Sequence, residues 1–471
     1  MTLSRGLPKF CITFFSAVLF LSASLTAQAA DKALLDMLLQ NGALTQAQYD
    51  TLMQRDSLTA EDFAAASDET KLEAVVKTQV EEATPVVASH SSKGFRLATR
   101  DGDWETNLLW RAQLRYTNPS TGDPRRLSSF DDASSATLEA RRLRMKIGGH
   151  GFKPWLKYYF EVDLQPSRDV DDSSSSASAR VIDWRADVAK WSWGGIRAGQ
   201  WKIDYNRERV DSSGRQQFVE RSIVNRVFTV DRQVGVQLRG HAFKGTSADL
   251  RWYAGVFNGE GRGVRNVDNN LMYIGRLQWN FLGRDLALRQ TDVEYTELPT
   301  ASLAFGGSTT TGACTRWSSS GCGNLDGFTS AGSAGIDQFE VDQAVQEFAY
   351  KWRGLSIQQE YHRKQVTDRI GGTKSDLTGG YLQAGYFFHN LFPSVPRPLE
   401  LAMRYAFVEE PNATDISFDN DREELTLAAN WFFRGHNNKL TLDVSHLSLE
   451  DGLVGRGESE NRLRFQWDVS F

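Results

Sequence analysis

The 471-residue chain is poor in cysteine, histidine and proline, with 3, 7 and 11 of each. Beyond residue 30 it has no uninterrupted apolar run near the roughly 20 residues that a membrane-spanning helix needs. A helical membrane bundle is therefore excluded. If the mature chain meets a membrane it does so as strands, because only helices and closed barrels satisfy their backbone groups in lipid. Two cysteines, Cys314 and Cys322, lie close together in a stretch rich in Ser, Gly and Thr. In an exported chain such a pair reads as a disulfide that pins a loop. With no histidine or further cysteine nearby, metal is the weaker reading, and no cofactor is expected. Acids outnumber bases, 59 against 54, for a formal net charge of −5, which argues against nucleic acid as a partner. Lysine is scarce: the bases divide into 15 lysines and 39 arginines.

The N-terminus fixes the compartment. `MTLSRGLPKF` carries Arg5 and Lys9, `CITFFSAVLFLSASL` supplies a short apolar run, and Ala27-Gln28-Ala29 is a small-residue cleavage site. Residues 1–29 read as a secretory signal peptide. Cys11 precedes the apolar run and is not a lipid-attachment cysteine. Residues 30–93 differ in pattern from the rest of the mature chain. Leu34, Leu35, Leu38 and Leu39 have helical spacing, Asn41-Gly42 is a stop, and Thr45 with Gln48 forms a capping box. A short periplasmic helical segment that self-associates is one reading, and a tail with only nascent helix is the other. `TPVVASHSSKG` is expected to be a linker.

Residues 94–471 read as one domain in which the period is two. In `NLLWRAQLRY`, Leu108, Trp110, Ala112, Leu114 and Tyr116 alternate with Arg111, Gln113 and Arg115. `LRMKIGG`, `LKYYFEVDL`, `LELAMRYAFV`, `KLTLDVSHLS` and `LRFQWDVSF` repeat the pattern, and about 16 strands are countable. Short turns such as Arg353-Gly354 alternate with long polar loops, and Trp and Tyr sit near strand ends. Those features predict an all-β, 16-stranded antiparallel transmembrane β-barrel of the bacterial outer membrane, with apolar rows facing lipid. A secreted β-sandwich would need its apolar rows to meet a second sheet and gives no reason for the aromatic ends.

In a barrel of this size the polar rows line a water-filled interior. Arg111, Arg115, Arg142, Arg144, Lys146, Lys157, Arg276, Arg404, Arg462 and Arg464 fall on those rows. Pairing with acids such as Glu161, Asp163 and Asp468 accounts for part of this charge. It does not account for arginine over lysine; the guanidinium offers a planar fork of donors that fits oxyanions. The densest run is `IDYNRERVDSSGRQQFVERSIVNRVFTVDRQ`, which holds Arg207, Arg209, Arg215, Arg221, Arg226 and Arg232 among five acids. It is either a loop folded into the lumen or a solvated outer loop with balanced charge.

`AGQWK`, `FVERSIVN`, `DRQVGVQLRG`, `WYAGVFNGEGRG`, `LLDMLLQNGALTQAQYD` and `RRLRMKIGGHGFKPWLKYYFEVDL` together resemble the phosphate-selective porin O and P family over nearly the whole mature chain. The resemblance implies a homotrimer of sixteen-stranded barrels in outer-membrane lipid. It also implies a third loop folded inward and an arginine constriction that binds phosphate. By motif, Arg221 and the pair Arg141-Arg142 are the constriction candidates. Strand parity puts Arg141 on the lipid row unless the strand bulges. One departure is Trp201-Lys202-Ile203-Asp204-Tyr205, where the family has a phenylalanine, a lysine and a later proline-phenylalanine.

The expected function is passive diffusion of anions, phosphate or related oxyanions, with Glu220 or Asp231 accepting the phosphate O–H. The alternative is a general or differently selective porin, for carboxylates, polyphosphate or small hydrophilic solutes. An outer-membrane enzyme built on His446 and Ser448 is not expected, because residues i and i+2 on one strand stand about 7 Å apart. An energised receptor would need a plug that residues 30–93 are too short to supply.

Overall fold

The computed structural model describes residues 85–119, 123–130, 135–164, 179–319, 321–410 and 419–471, with isolated positions between 36 and 50. Residues 1–84 and 85–471 form two units. In the first, Asp36, Leu39, Gln40, Gln46, Tyr49 and Asp50 are helical, and the Tyr49 hydroxyl bonds the Asp36 carboxylate. The signal peptide and most of the expected helical segment lie outside the described residues.

The second unit is a barrel. Its strands are β3 (Glu105–Asn118), β4 (Thr137–Gly151), β5 (Lys153–Asp163), β6 (Arg180–Trp191), β7 (Gly194–Lys202), β8 (Arg232–Ala242), β9 (Leu250–Phe257), β10 (Met272–Trp279) and β11 (Thr300–Gly312). After a small hairpin, β12 (Arg316–Ser318) and β13 (Gly321–Gly323), come β14 (Phe339–Trp352), β15 (Leu355–Asp368), β16 (Lys374–Tyr386), β17 (Leu399–Glu409), β18 (Asn420–Phe432), β19 (Asn438–Asp451) and β20 (Arg456–Ser470). Each barrel strand pairs antiparallel with the next, and β20 closes on β3 from Leu463↔Asn118 to Ser470↔Arg111. Closure leaves no edge among the sixteen, which is what lipid requires.

Period two decides the faces. On β17, Glu400, Ala402, Arg404, Ala406 and Val408 are buried inward, while Leu401, Met403 and Tyr405 are exposed outward. The Arg353-Gly354 connection is a two-residue hairpin with φ of 48° and 84°, the mirror-image turn whose twist matches its strands.

Three expectations need correction. `TPVVASHSSKG` is not all linker: β1 (Val86–Ser91) pairs with β2 (Gly94–Thr99), which pairs with the start of β3 below the end of β20. Its Val-Val start suits a strand, and Gly94 permits the turn, since a Cβ there would meet the Leu108 carbonyl oxygen at 2.0 Å. The alternation of turn and loop lengths also fails between β10 and β11, where residues 280–299 form a long connection on the short-turn side. Finally, the inward rows are not uniformly polar. Val341, Val345, Val366, Leu377, Val408 and Leu447 point into the barrel and form a buried cluster with loop residues.

Candidate functional site

Those loop residues come from residues 203–231, between β7 and β8. The segment enters the barrel and carries two short helices, α1 (Arg207–Val210) and α2 (Val224–Phe228). Tyr205, Ile223, Val224, Val227, Phe228 and Val230 bury against the wall cluster. Trp317 of the β12–β13 hairpin and Cys314 just before it lie in the same cluster, with Cys322, the disulfide partner of Cys314 (Cα–Cα 5.7 Å), packed against it.

A loop inside a barrel must satisfy its backbone without a sheet, and charged wall residues do this. Glu360 accepts from the Glu208 N–H at 2.6 Å, Asp443 from Val219 at 2.9 Å and Glu424 from Ile223 at 3.0 Å. Lys364 donates to the Val227 carbonyl at 2.9 Å and Arg404 to that of Glu220 at 3.1 Å.

On the other side the loop faces β3 and β4. Gln113 pairs with Arg142 and Leu114 with Ala140, leaving Arg141 as the extra residue of a β-bulge. A bulge re-aims a side chain that strict alternation would send outward. Arg141 therefore joins its neighbour on the lumen side: Arg115, Arg141 and Arg142 reach the Glu220 carboxylate at 2.9, 3.0 and 3.1 Å. Arg115 is further held by Gln466 at 2.9 Å and the Val219 carbonyl at 3.1 Å, and Arg142 by Gln113 at 3.0 Å.

The family model for "phosphate-selective porin O and P" matches residues 120–467. The chain belongs to that family. No curated protein matches it. Among solved structures it is similar to OmpT of Vibrio cholerae, an outer membrane protein, in its loop L8 deletion mutant (TM-score 0.51, 11% identity, 78% of this chain and 99% of that one). It is also similar to the outer membrane channel DcaP of Acinetobacter baumannii (TM-score 0.49, 11% identity, 78% and 97%). A third is an anion-selective porin from Comamonas acidovorans (TM-score 0.46, 12% identity, 78% and 99%). Family and barrel make the protein an outer-membrane channel.

The remaining predicted residues of this porin divide by partner. Arg111 donates to the hydroxyls of Ser212 at 2.9 Å and Ser213 at 2.6 Å, fixing the loop tip to β3. Arg144 bonds Glu161 at 2.9 Å and Asp163 at 3.3 Å. Arg209 forks onto Asp231, and Arg276 onto Glu347 at 2.9 and 2.7 Å. Arg207 donates to Ser302 and to the Ala287 carbonyl. Arg221 donates to the carbonyls of Glu208 at 2.9 Å and Asp211 at 2.7 Å, closing the loop around α1. Arg226 lies on α2, partly exposed. The wall arginines Arg404 and Arg464 pair with Glu424 and Asp443. Lys146 and Arg215 line an open cavity of about 920 Å³ beside β3–β7, together with Lys157, Arg185, Arg197 and Lys202, and Arg111 and Arg144 also border it.

The same cavity is bounded by residues 287–289 and by His436-Asn437. Residues 280–299 reach the inward loop: Gln290 accepts from the Gln217 N–H at 2.7 Å and donates to Gln216 at 2.9 Å. Nothing in the sequence singled out this segment. A signal for the loop itself was present in `SIVNRVFTV`, where Val224, Val227 and Phe228 stand at helical spacing. His446 is exposed on the outer face and bonds Asn461 at 2.9 Å.

Proposed function

We propose that the protein passes small anions, phosphate and related oxyanions, by passive diffusion through an arginine-lined narrowing between the inward loop and the β3–β5 wall. The observation that carries this reading is the convergence of Arg115, Arg141 and Arg142 on one carboxylate where loop and wall meet. A hydrated anion arriving from the cavity exchanges water for guanidinium donors. Conduction needs sites strong enough to admit the ion and weak enough to release it, so cations at several levels serve better than one deep site. Arg111, Lys146, Arg215 and Lys202 supply the level next to the cradle. The chain acts in outer-membrane lipid as the homotrimer that the family implies.

Planar-bilayer recording of the purified protein tests the reading. The expected result is a chloride-biased reversal potential in a KCl gradient and saturable block by low phosphate, with both weakened in Arg142→Ala and Arg115→Ala. Ohmic current without ion preference or block would refute it. One observation favours a second selectivity, for carboxylates: the group seated in the cradle is itself a carboxylate. Stronger block by acetate or succinate than by phosphate would decide for that reading.

A further inference from the structure

The arginine cradle is already occupied, and by the channel's own side chain. Two of its three forks are anchored without that occupant, Arg115 through Gln466 and Arg142 through Gln113, and the third, Arg141, also faces Glu139 at 3.7 Å. The backbone that carries Glu220 is equally fixed. Its carbonyl accepts from Arg404, the preceding N–H bonds Asp443, and the next residue is clamped around α1. The carboxylate differs from both. Among the described residues its partners are the three arginines alone, and the side chain is 23% exposed where that of Arg115 is 4%. Rotation about the Glu220 side-chain bonds therefore takes the carboxylate into the lumen without moving the loop. It leaves three forks converging on one point.

We propose that Glu220 is a tethered competitor: its carboxylate holds the oxyanion site of the pathway, and a permeating anion binds by displacing it. This rests on the anion-channel reading. Three guanidinium groups around one carboxylate keep it ionised and still leave a surplus of positive charge to draw the incoming ion. The solute that competes best offers two acceptor oxygens to a fork, as inorganic phosphate and carboxylates do. Chloride offers none and displaces Glu220 poorly. Glu220 thus sets which anions pass the cradle and at what concentration they bind.

The test uses full-length protein in planar bilayers, with chloride current titrated by inorganic phosphate in wild type, Glu220→Gln and Glu220→Asp. Glutamine keeps the shape and loses the charge, so half-block is expected at about tenfold lower phosphate, the worth of one charge-assisted contact. Aspartate keeps the charge and shortens the reach by one methylene, so it shifts the same way. A shift in Glu220→Gln with Glu220→Asp at the wild-type value is an effect of net charge and overturns the proposal. Equal half-block in all three also overturns it, while leaving the anion channel standing. Absence of both block and chloride preference in wild type overturns the two together.

Discussion

Arg221 and Arg141 show how a guanidinium's neighbours decide what it does. Both lie in motifs that suggest a constriction. Arg221 is buried and turned back on its own loop, where the carbonyls of Glu208 and Asp211 take its donors. Arg141 belongs to a lipid-facing row by parity, yet reaches Glu220. Alternation specifies a face only while the register holds, and one inserted residue reverses it; no residue type in `EARRLR` announces the bulge. The contrast gives a prediction at this scale. Arg221→Ala leaves the Glu208 carbonyl inside the loop without its donor, while that of Asp211 keeps Lys202, costing about 1–3 kcal/mol of loop docking. Its current is expected to turn noisy, and protease should cut the folded protein within residues 203–231. Arg142→Ala should lower anion preference with a quiet baseline and an intact loop. Matching phenotypes for the two would mean that both residues only hold structure.

At the scale of elements the strands were legible and the connections were not. Apolar and polar residues alternate because lipid and lumen impose opposite demands on successive side chains, and the pattern breaks where inward positions such as Val341 and Val366 pack on the loop cluster instead of facing water. A connection has no such period. `NFLGRDLALRQTDVEYTELP` looks like any polar loop, and its course toward the inward loop depends on partners far along the chain: Gln216, Gly354 and His436. Asp292 accepts from the Gly354 N–H at 2.8 Å, and Thr291 bonds His436 at 3.1 Å. Gln290 then links this connection to the loop tip from below. Gln290→Ala removes both amide contacts, worth about 1–3 kcal/mol together. Replacing residues 284–297 by a short turn removes the whole prop. Unitary conductance is expected to rise in the shortened variant and to fluctuate more in Gln290→Ala. Unchanged conductance in the shortened variant would mean that the segment does not border the conducting path.

For the whole molecule, the barrel and its compartment could be read from period, aromatic ends and the missing apolar helices. The selectivity could not, because it depends on how 39 arginines and 59 acids are matched in space. Much of the lumen charge is paired: Arg209 with Asp231, Arg276 with Glu347, Arg404 with Glu424, Arg464 with Asp443. The first of these forks lies within the loop and the other three join wall strands, and neutralised in this way they contribute little net field. Two sources of anion preference are then separable by salt. Attraction by the cavity cations acts over distance and is screened, since the Debye length falls from about 10 Å at 0.1 M to about 3 Å at 1 M. Contact with the cradle acts at hydrogen-bond range and is screened far less. The chloride-over-potassium ratio, taken from reversal potentials, is expected to fall toward unity between 0.1 and 1 M KCl. Phosphate block should persist across that range with a weaker half-block concentration. Loss of both together would place all selectivity in the long-range field and none in the arginine forks. Persistence of the chloride preference at 1 M would place it in contacts that chloride itself makes.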